Sequence, residues 1–501
     1  MSRSVLERFL ARSQTPGRSR RSGALVAVWL LFAMTEGVGQ QPERFEPQAA
    51  AIAGAILVGG RAVEHLRDLS DLFPGRVTGT TPHRRAAEWA AQRLRAFGIP
   101  DVRLESFTIP NGWERGSALG RILAPIERAL AVGSLQWSPS TPAGGVEGEV
   151  VRLNEFTPDA ITAAGGALRN RFVLVEFGAM FGQRSAAYPS FARCFPLLEE
   201  SGALAILLID QWANNVLRSL PLTAGAKIVA LPVAQVGSED GKLILRLLER
   251  GPVRIKLELA NRVSGPVDVP NVIAELPGRK HPEQWILLSA HLDGTDHGTA
   301  ANDNGAGIAQ VLETARVLAM LHQRPLRSVR FALWGGEEQR LLGSRAYVQA
   351  HAADLANAVA VLNSDRGAGR PRGWSVSGRE DLHRAMQPLS RDLLTGLDAA
   401  RLVLELTPGT DHESFLIEGV PALDLQVDPP PGETTHHRPS DTFEKVDPRE
   451  LALGAAVMAV TAYALAERIE PIASRLDRMA TEAIIKKAGY DGFLRGVGMW
   501  R

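Results

Sequence analysis

A chain of 501 residues exceeds one ordinary core, so at least two folded regions are expected. Hydrophobic content of 45% and charged content of 22% describe a globular protein, and a formal net charge of +1 argues against a nucleic-acid partner or a strongly anionic substrate. The lone cysteine, Cys194, excludes an intrachain disulfide and a cysteine-built zinc site, and its apolar flanks in "FARCFPLL" suit a buried structural thiol.

In chain order, residues 1–39 read as a secretory signal. Arg12, Arg18, Arg20 and Arg21 precede the apolar run Ala24 to Met34, and the small residues Gly37 and Gly39 follow. Export to a periplasmic or extracellular space is expected, with no stable membrane span after processing; an uncleaved anchor is the alternative. Residues 40–116 begin the main domain. Helices are expected over 48–69 and 83–97, the second carrying Ala87, Ala90, Ala91, Leu94 and Phe97 on one stripe, and "DVRLESFTI" alternates as a strand. Residues 117–262 change texture. Short β-like runs such as "GEVVRL", "RFVLVEF", "ALAILLID" and "KIVALPVAQV" predict a smaller, inserted, β-rich domain. Residues 263–470 alternate strand and helix, with strands "QWILLSAHLD", "SVRFALWG", "AVAVLNSD", "RLVLELT" and "PALDLQV". That pattern predicts an α/β fold, a central sheet covered by helices on both faces. Residues 448–467 should form a long helix capped by Asp447 and opened by Pro448. The tail 471–501 has no readable pattern.

The stretch "HLDGTDHGTAANDNGAG", His291 to Gly307, concentrates metal-ligand side chains. Further such groups follow apolar runs. "WILLSA" leads to His291 and Asp293, "VRFALWGG" to Glu337 and Glu338, and "AVAVLNS" to Asp365. Open α/β sheets place their sites beyond the carboxyl ends of strands. Each group alone has an ordinary explanation: a solvated acidic pair, a hydrogen-bonded histidine, a helix cap at Asp303. Their joint placement does not. No H-E-x-x-H, Walker loop or G-x-S-x-G competes with them.

The motifs "HLD" 291–293, "NDNGAG" 302–307, "GGEEQ" 335–339, "LNSDRGAG" 362–369 and "HHRPSDT" 436–442 together resemble the dizinc exopeptidases that include bacterial leucyl aminopeptidases and carboxypeptidase Q. "IPNGWERG" at 109–116 and the doubled histidine are similar to the carboxypeptidase Q branch; the likeness runs from about residue 45 to 467. The resemblance implies the zinc exopeptidase fold, with a central mixed β-sheet and an inserted protease-associated-type domain. It implies two Zn²⁺ ions, with other divalent transition metals as alternatives. Asp303 would bridge them, His291 and Asp365 would complete one, and Glu338 and His437 the other. Asp293 would accept the second ring N–H of His291, Glu337 would be the general base, and His436 would donate to the oxyanion or support His437. A cis peptide between Asp303 and Asn304 is also implied. Asp411 and His412 would belong to a loop lining the substrate pocket, while Asp296 and His297 receive no role.

The function implied is hydrolysis of dipeptides or short peptides by a metal-bridged hydroxide. A peptide is then the substrate, and a homodimer is compatible. A broad aminopeptidase is the nearest alternative. A single-zinc glutaminyl cyclase is disfavoured by the presence of both His291 and Asp365, and a receptor-like protein by the full ligand set.

Overall fold

The computed structural model describes residues 45–182, 188–429 and 434–500, so the expected signal segment lies outside the described residues. Two eight-stranded sheets organise the chain. The first runs in the order Asp101–Ile109, Val267–Leu276, Arg327–Trp334, His281–His291, Ala358–Asn363, Ala422–Asp428, Arg370–Ser375 and Arg401–Val403. Its four central strands, from Arg327–Trp334 to Ala422–Asp428, are mutually parallel, and the flanking pairs make the sheet mixed.

The sheet is buried on both faces because its strands alternate two apolar sets. Along His281–His291, Ile286, Leu288 and Ala290 join one core with the helices Ala306–Ala319 and Pro448–Glu467, while Trp285 and Leu287 join Tyr347 and Phe415 on the other side. Helix Pro448–Glu467 starts where its sequence says it should: Asp447 accepts from the amides of Arg449 and Glu450, at 2.7 and 3.4 Å. It is long and apolar enough to cross a membrane, but most of it is buried in this core.

The expected single helix over 48–69 is two helices, Glu46–Gly59 and Ala62–Leu72. Gly60 breaks it, adopting extended backbone at φ −72° and ψ 152°. Only Arg401–Val403 of "RLVLELT" is strand, and only Val233–Val236 of "KIVALPVAQV". The tail, unread in the sequence, forms helices Arg478–Lys487 and Asp491–Gly496.

All eight strands of the second sheet lie between Ala118 and Leu259. The chain leaves the first sheet at Ile109 and re-enters it at Val267, and these two residues are register partners. Trp113–Glu114 pairs with Arg262–Val263 as a two-stranded neck between them. The region is α/β in texture, because helices Pro158–Ala164, Tyr188–Glu200 and Ser238–Leu248 cover its parallel strands. Strand alternation again sends Val173 and Val175 to one core and Phe172 and Leu174 to another. Cys194 is buried in the first of these cores, and burial pushes its thiol up to about 11. The described residues nonetheless form one compact unit.

Candidate metal centre

Each of the four parallel central strands ends in a ligand-type group. His291 closes its own strand, Glu337 and Glu338 follow Trp334, Asp365 follows Asn363, and His436 and His437 follow the strand Ala422–Asp428. Asp303 comes from the segment before helix Ala306–Ala319. The parallel register aligns His291 with Trp334 and Ser289 with Asn363, so these ends share one edge.

At that edge His291 Nε2 lies 3.0 Å from Asp303 Oδ1 and 3.0 Å from Asp365 Oδ1. His437 Nε2 lies 3.2 Å from Asp303 Oδ2 and 3.0 Å from Glu338 Oε2. Asp303 therefore offers one carboxylate oxygen to each group. His436 Nε2 is 3.7 Å from the same Oδ2, and its ring stacks on that of His437 with centroids 4.0 Å apart. His437 is the better placed of the two. Its side chain is 11% exposed against 58% for His436, and it alone reaches both Asp303 and Glu338.

The surrounding loops are tied together by side chains that the metal motif leaves undescribed. Buried Arg76 donates to the carbonyls of Leu292, Thr299 and Ala300, which holds the loop after His291 in place. Asp441 accepts from the amides of Asn302 and Asp303 at 2.6 and 3.1 Å. Asn302 bonds Thr435 and the amide of Ala368, and Asn304 bonds the carbonyl of Ser364, so the two asparagines around Asp303 link the histidine and Asp365 loops to it. The peptide between Asp303 and Asn304 is cis.

Asp293 differs from expectation in detail. The ring Nδ1 of His291 meets the backbone carbonyl of Asp293 at 3.0 Å, and the carboxylate is farther, at 3.5 Å. That carboxylate is occupied elsewhere. It accepts from Thr78 Oγ1 at 2.8 Å and from the amides of Glu337 and Glu338 at 3.1 and 3.3 Å. The Asp293 side chain thus holds the glutamate pair, while its carbonyl orients the histidine.

Asp411 and His412 do not line the cleft. They are fully buried at the start of the short helix His412–Leu416, and Gly409 and Thr410 before them form the wall instead. Asp411 accepts from Ser344 Oγ, and burial pushes its carboxyl up to about 8. Asp296 is not a free loop group either. Arg115 grips its two oxygens at 2.8 and 2.9 Å, and Ser219 Oγ donates to it at 2.8 Å. Both partners belong to the segment leading into or within the second sheet. That segment touches the metal edge twice more: Ser219 N–H donates to the His437 carbonyl at 2.8 Å and Gly225 N–H to that of Gln339 at 2.9 Å.

The donor chemistry of this edge suits a cation. Asp303, Glu337, Glu338 and Asp365 converge in a buried cleft, Glu338 Oε1 and His437 Nδ1 are buried without a hydrogen-bond partner, and the donor set is carboxylate and imidazole. Burial, reinforced by the Asp365 charge, pushes the Glu337 carboxyl well above the usual range. Although burial opposes it, Glu338 and Asp303 hold the His437 imidazole up to about 10. These residues fit divalent metal. The cleft they floor has a volume of ≈ 520 Å³.

Residues 271–462 match Peptidase family M28. Carboxypeptidase Q of Bos taurus is 30% identical over 412 residues, covering 81% of this chain and 85% of the bovine one. A crystal structure of a peptidase M28 precursor from Shewanella amazonensis superposes with a TM-score of 0.76 at 27% identity, covering 86% of this chain and 99% of that one. A zinc aminopeptidase from Bacillus subtilis shares the fold, with a TM-score of 0.65 at 20% identity over 84% of this chain and 98% of its own. With its ligand-type side chains gathered at the ends of four parallel strands, the chain belongs to peptidase family M28, as a carboxypeptidase Q-like peptidase.

Proposed function

We propose that this chain is an exported dizinc exopeptidase that hydrolyses dipeptides or short peptides. The observation that carries this reading is Asp303, whose two oxygens face two separate groups, His291 with Asp365 and His437 with Glu338. His291, Asp303 and Asp365 would hold one ion, and Asp303, Glu338 and His437 the other. Bound there, a divalent pair supplies Lewis acidity, which polarises a peptide carbonyl and lowers the pKa of water.

The protein's own part is proton management. Glu337 sits beside the ligand Glu338, and its backbone is fixed by Asp293. Its carboxylate takes a proton as the water oxygen bonds to the scissile carbonyl carbon. It returns that proton to the amine nitrogen as the C–N bond breaks, giving a carboxylate and a free amine. His436 would contact substrate, a role that its exposure and its stacking on His437 support.

Residues 117–262 act as an inserted domain that restricts substrate length. The passage from Ile109 to Val267 across one register pair supports this, as do Leu220 and Pro221 in the cleft wall. The N-terminal apolar run supports export.

The test is elemental analysis of the purified protein beside product release from unblocked, N-blocked and C-amidated dipeptides. Two metal equivalents per chain and hydrolysis of an unblocked dipeptide are expected. One equivalent with cyclisation of an N-terminal glutaminyl peptide would favour the cyclase chemistry instead. Absence of both metal and turnover would overturn the reading.

A further inference from the structure

The C-terminal segment lies beyond the residues that match the family, yet it reaches the cleft. Ile485, Leu494, Met499 and Trp500 bury themselves around Leu341, close in sequence to Glu337 and Glu338. Phe493 and Val497 are left half-buried and line the cleft. Residues four apart on a helical turn share a face, whereas Leu494 points to the buried cluster. One segment therefore anchors itself through Leu494, Met499 and Trp500, with Val497 packed against the same cluster, and brings Phe493 and Val497 to the cleft.

Arg340 fixes the arrangement. One guanidinium nitrogen, Nη2, donates to Tyr490 Oη at 2.6 Å and to Glu413 Oε1 at 2.7 Å. The guanidinium carbon lies 4.6 Å from the Phe493 ring centroid, a cation–π contact that orients the ring. Arg340 and Leu341 both adopt the left-handed region, with φ of 80° and 59°. Non-glycine residues hold that conformation only where their surroundings enforce it. Here the amides of Arg340 and Leu341 donate to the Glu337 carbonyl at 2.7 and 2.9 Å, and the tail packs on both side chains. The last helix also packs on Tyr188–Glu200 of the second-sheet region, which contributes Leu220, Pro221 and Ala224 to the same cleft. The cleft thus has a floor of carboxylates and imidazoles, and its walls combine apolar side chains from two distant parts of the chain with Arg340, Arg366 and Thr223.

We propose that Phe493 and Val497 are specificity-determining residues that receive a bulky apolar side chain beside the scissile bond of a short peptide. The inference rests on the peptidase reading above and names its substrate class. A leucine-sized side chain displaces water from this wall, while glycine leaves the wall wet. Discrimination of about 10-fold or more is the scale that such a pocket supplies.

The experiment compares leucyl and glycyl dipeptides, with the large residue on either side of the bond, in wild type, Phe493→Ala, Val497→Ala and Phe493→Leu. Met479→Ala, in the same tail but away from the cleft, is the control. The leucyl-to-glycyl ratio of kcat/KM should fall about 10-fold in Phe493→Ala, through KM for the leucyl substrate, with metal content unchanged. Phe493→Leu should restore most of the ratio. A ratio that stays constant while all rates fall together would mean that the tail is only structural, and the proposal would be overturned. Calorimetric binding of free L-leucine against glycine separates this inference from the peptidase reading. Leucine preference that disappears in Phe493→Ala, in a protein that cleaves no dipeptide, would support the wall and sink the peptidase reading. Hydrolysis with no leucine preference in wild type would do the opposite.

Discussion

In the second sheet, the parallel strand Ala205–Ile209 runs out into Asp210; in the first, the parallel strand Ala358–Asn363 runs out towards Asp365. Both carboxylates are shielded from solvent at the carboxyl end of a strand, yet their surroundings differ. Asp210 accepts from the amides of Gln211, Trp212 and Arg218 and from Gln235 Nε2, so both oxygens are satisfied within the second sheet. Among the described residues Asp365 meets only His291 Nε2, which Asp303 shares, and burial pushes its carboxyl up to about 6. Topology places acids at strand ends in both regions. Supply of donors then separates an acid used as structure from one left for a ligand.

The largest expected effect is at the glutamate pair. Glu337→Gln keeps shape and cannot accept a proton, so turnover should fall by about 10²–10⁴-fold while metal content stays the same. Glu338→Gln should lose at least one metal equivalent and regain part of its activity in excess zinc. If Glu337→Gln loses metal and Glu338→Gln keeps it, the two roles are exchanged. Next in size is Asp296→Ala, which releases Arg115 and Ser219 beneath the His437 loop. Metal affinity should weaken about 10-fold or more, the scale of losses at supporting groups; unchanged affinity in a competition titration would show that the link between the sheets is not felt at the metal edge.

Asp210→Ala is the matched control. It strands buried donors and should cost about 1–3 kcal/mol of stability in denaturant melts, with activity within about 2-fold of wild type. A collapse of activity at full stability would erase the distinction drawn between the two acids.

The smallest effect concerns histidines of the frame. Burial holds His65 and His83 down to about 4, against an ordinary 6.5. Between those values the unfolded chain binds protons that the folded chain refuses, so stability should drop as pH falls from 6.5 towards 4, by up to ~1.4 kcal/mol per pH unit for each histidine. Melting wild type and His65→Gln side by side across that range isolates the His65 part, and the variant should flatten the slope. A slope unchanged in that variant would remove His65 from the account.

Much of the site was legible because apolar runs of parallel strands are continuous and their polar ends stand out. His291, Glu337, Glu338 and Asp365 were all visible that way. The structure brings them together with Asp303 and His437. The supporting contacts were not legible. Arg76 and Thr78 lie more than two hundred residues before the groups they bind, and nothing local in "GRVTGT" marks them. Strand Val267–Leu276 is hard to read for the same reason, since its partner strands, Asp101–Ile109 and Arg327–Trp334, both lie far from it in sequence. The tail escaped because its buried residues, Ile485, Leu494, Met499 and Trp500, follow no single period and gain meaning only around Leu341. Asp293 shows the finer limit. Its proximity to His291 was foreseen, but the use of its carboxylate on the amides of Glu337 and Glu338 depends on the neighbouring strand.

The hydrogen bonds from Ser219 to the His437 carbonyl and from Gly225 to that of Gln339 have a mechanical consequence. A second sheet that swung open on its two-stranded neck would tear at the backbone of the very loops that carry His437 and the glutamate pair. These two bonds predict an entrance that stays at one size during turnover, as an aperture and not a gate. Substrates would then be sorted by whether they fit through that mouth, and products would leave by the same opening. Turnover need not wait for a large closing motion, and cross-linking the two regions should leave it intact.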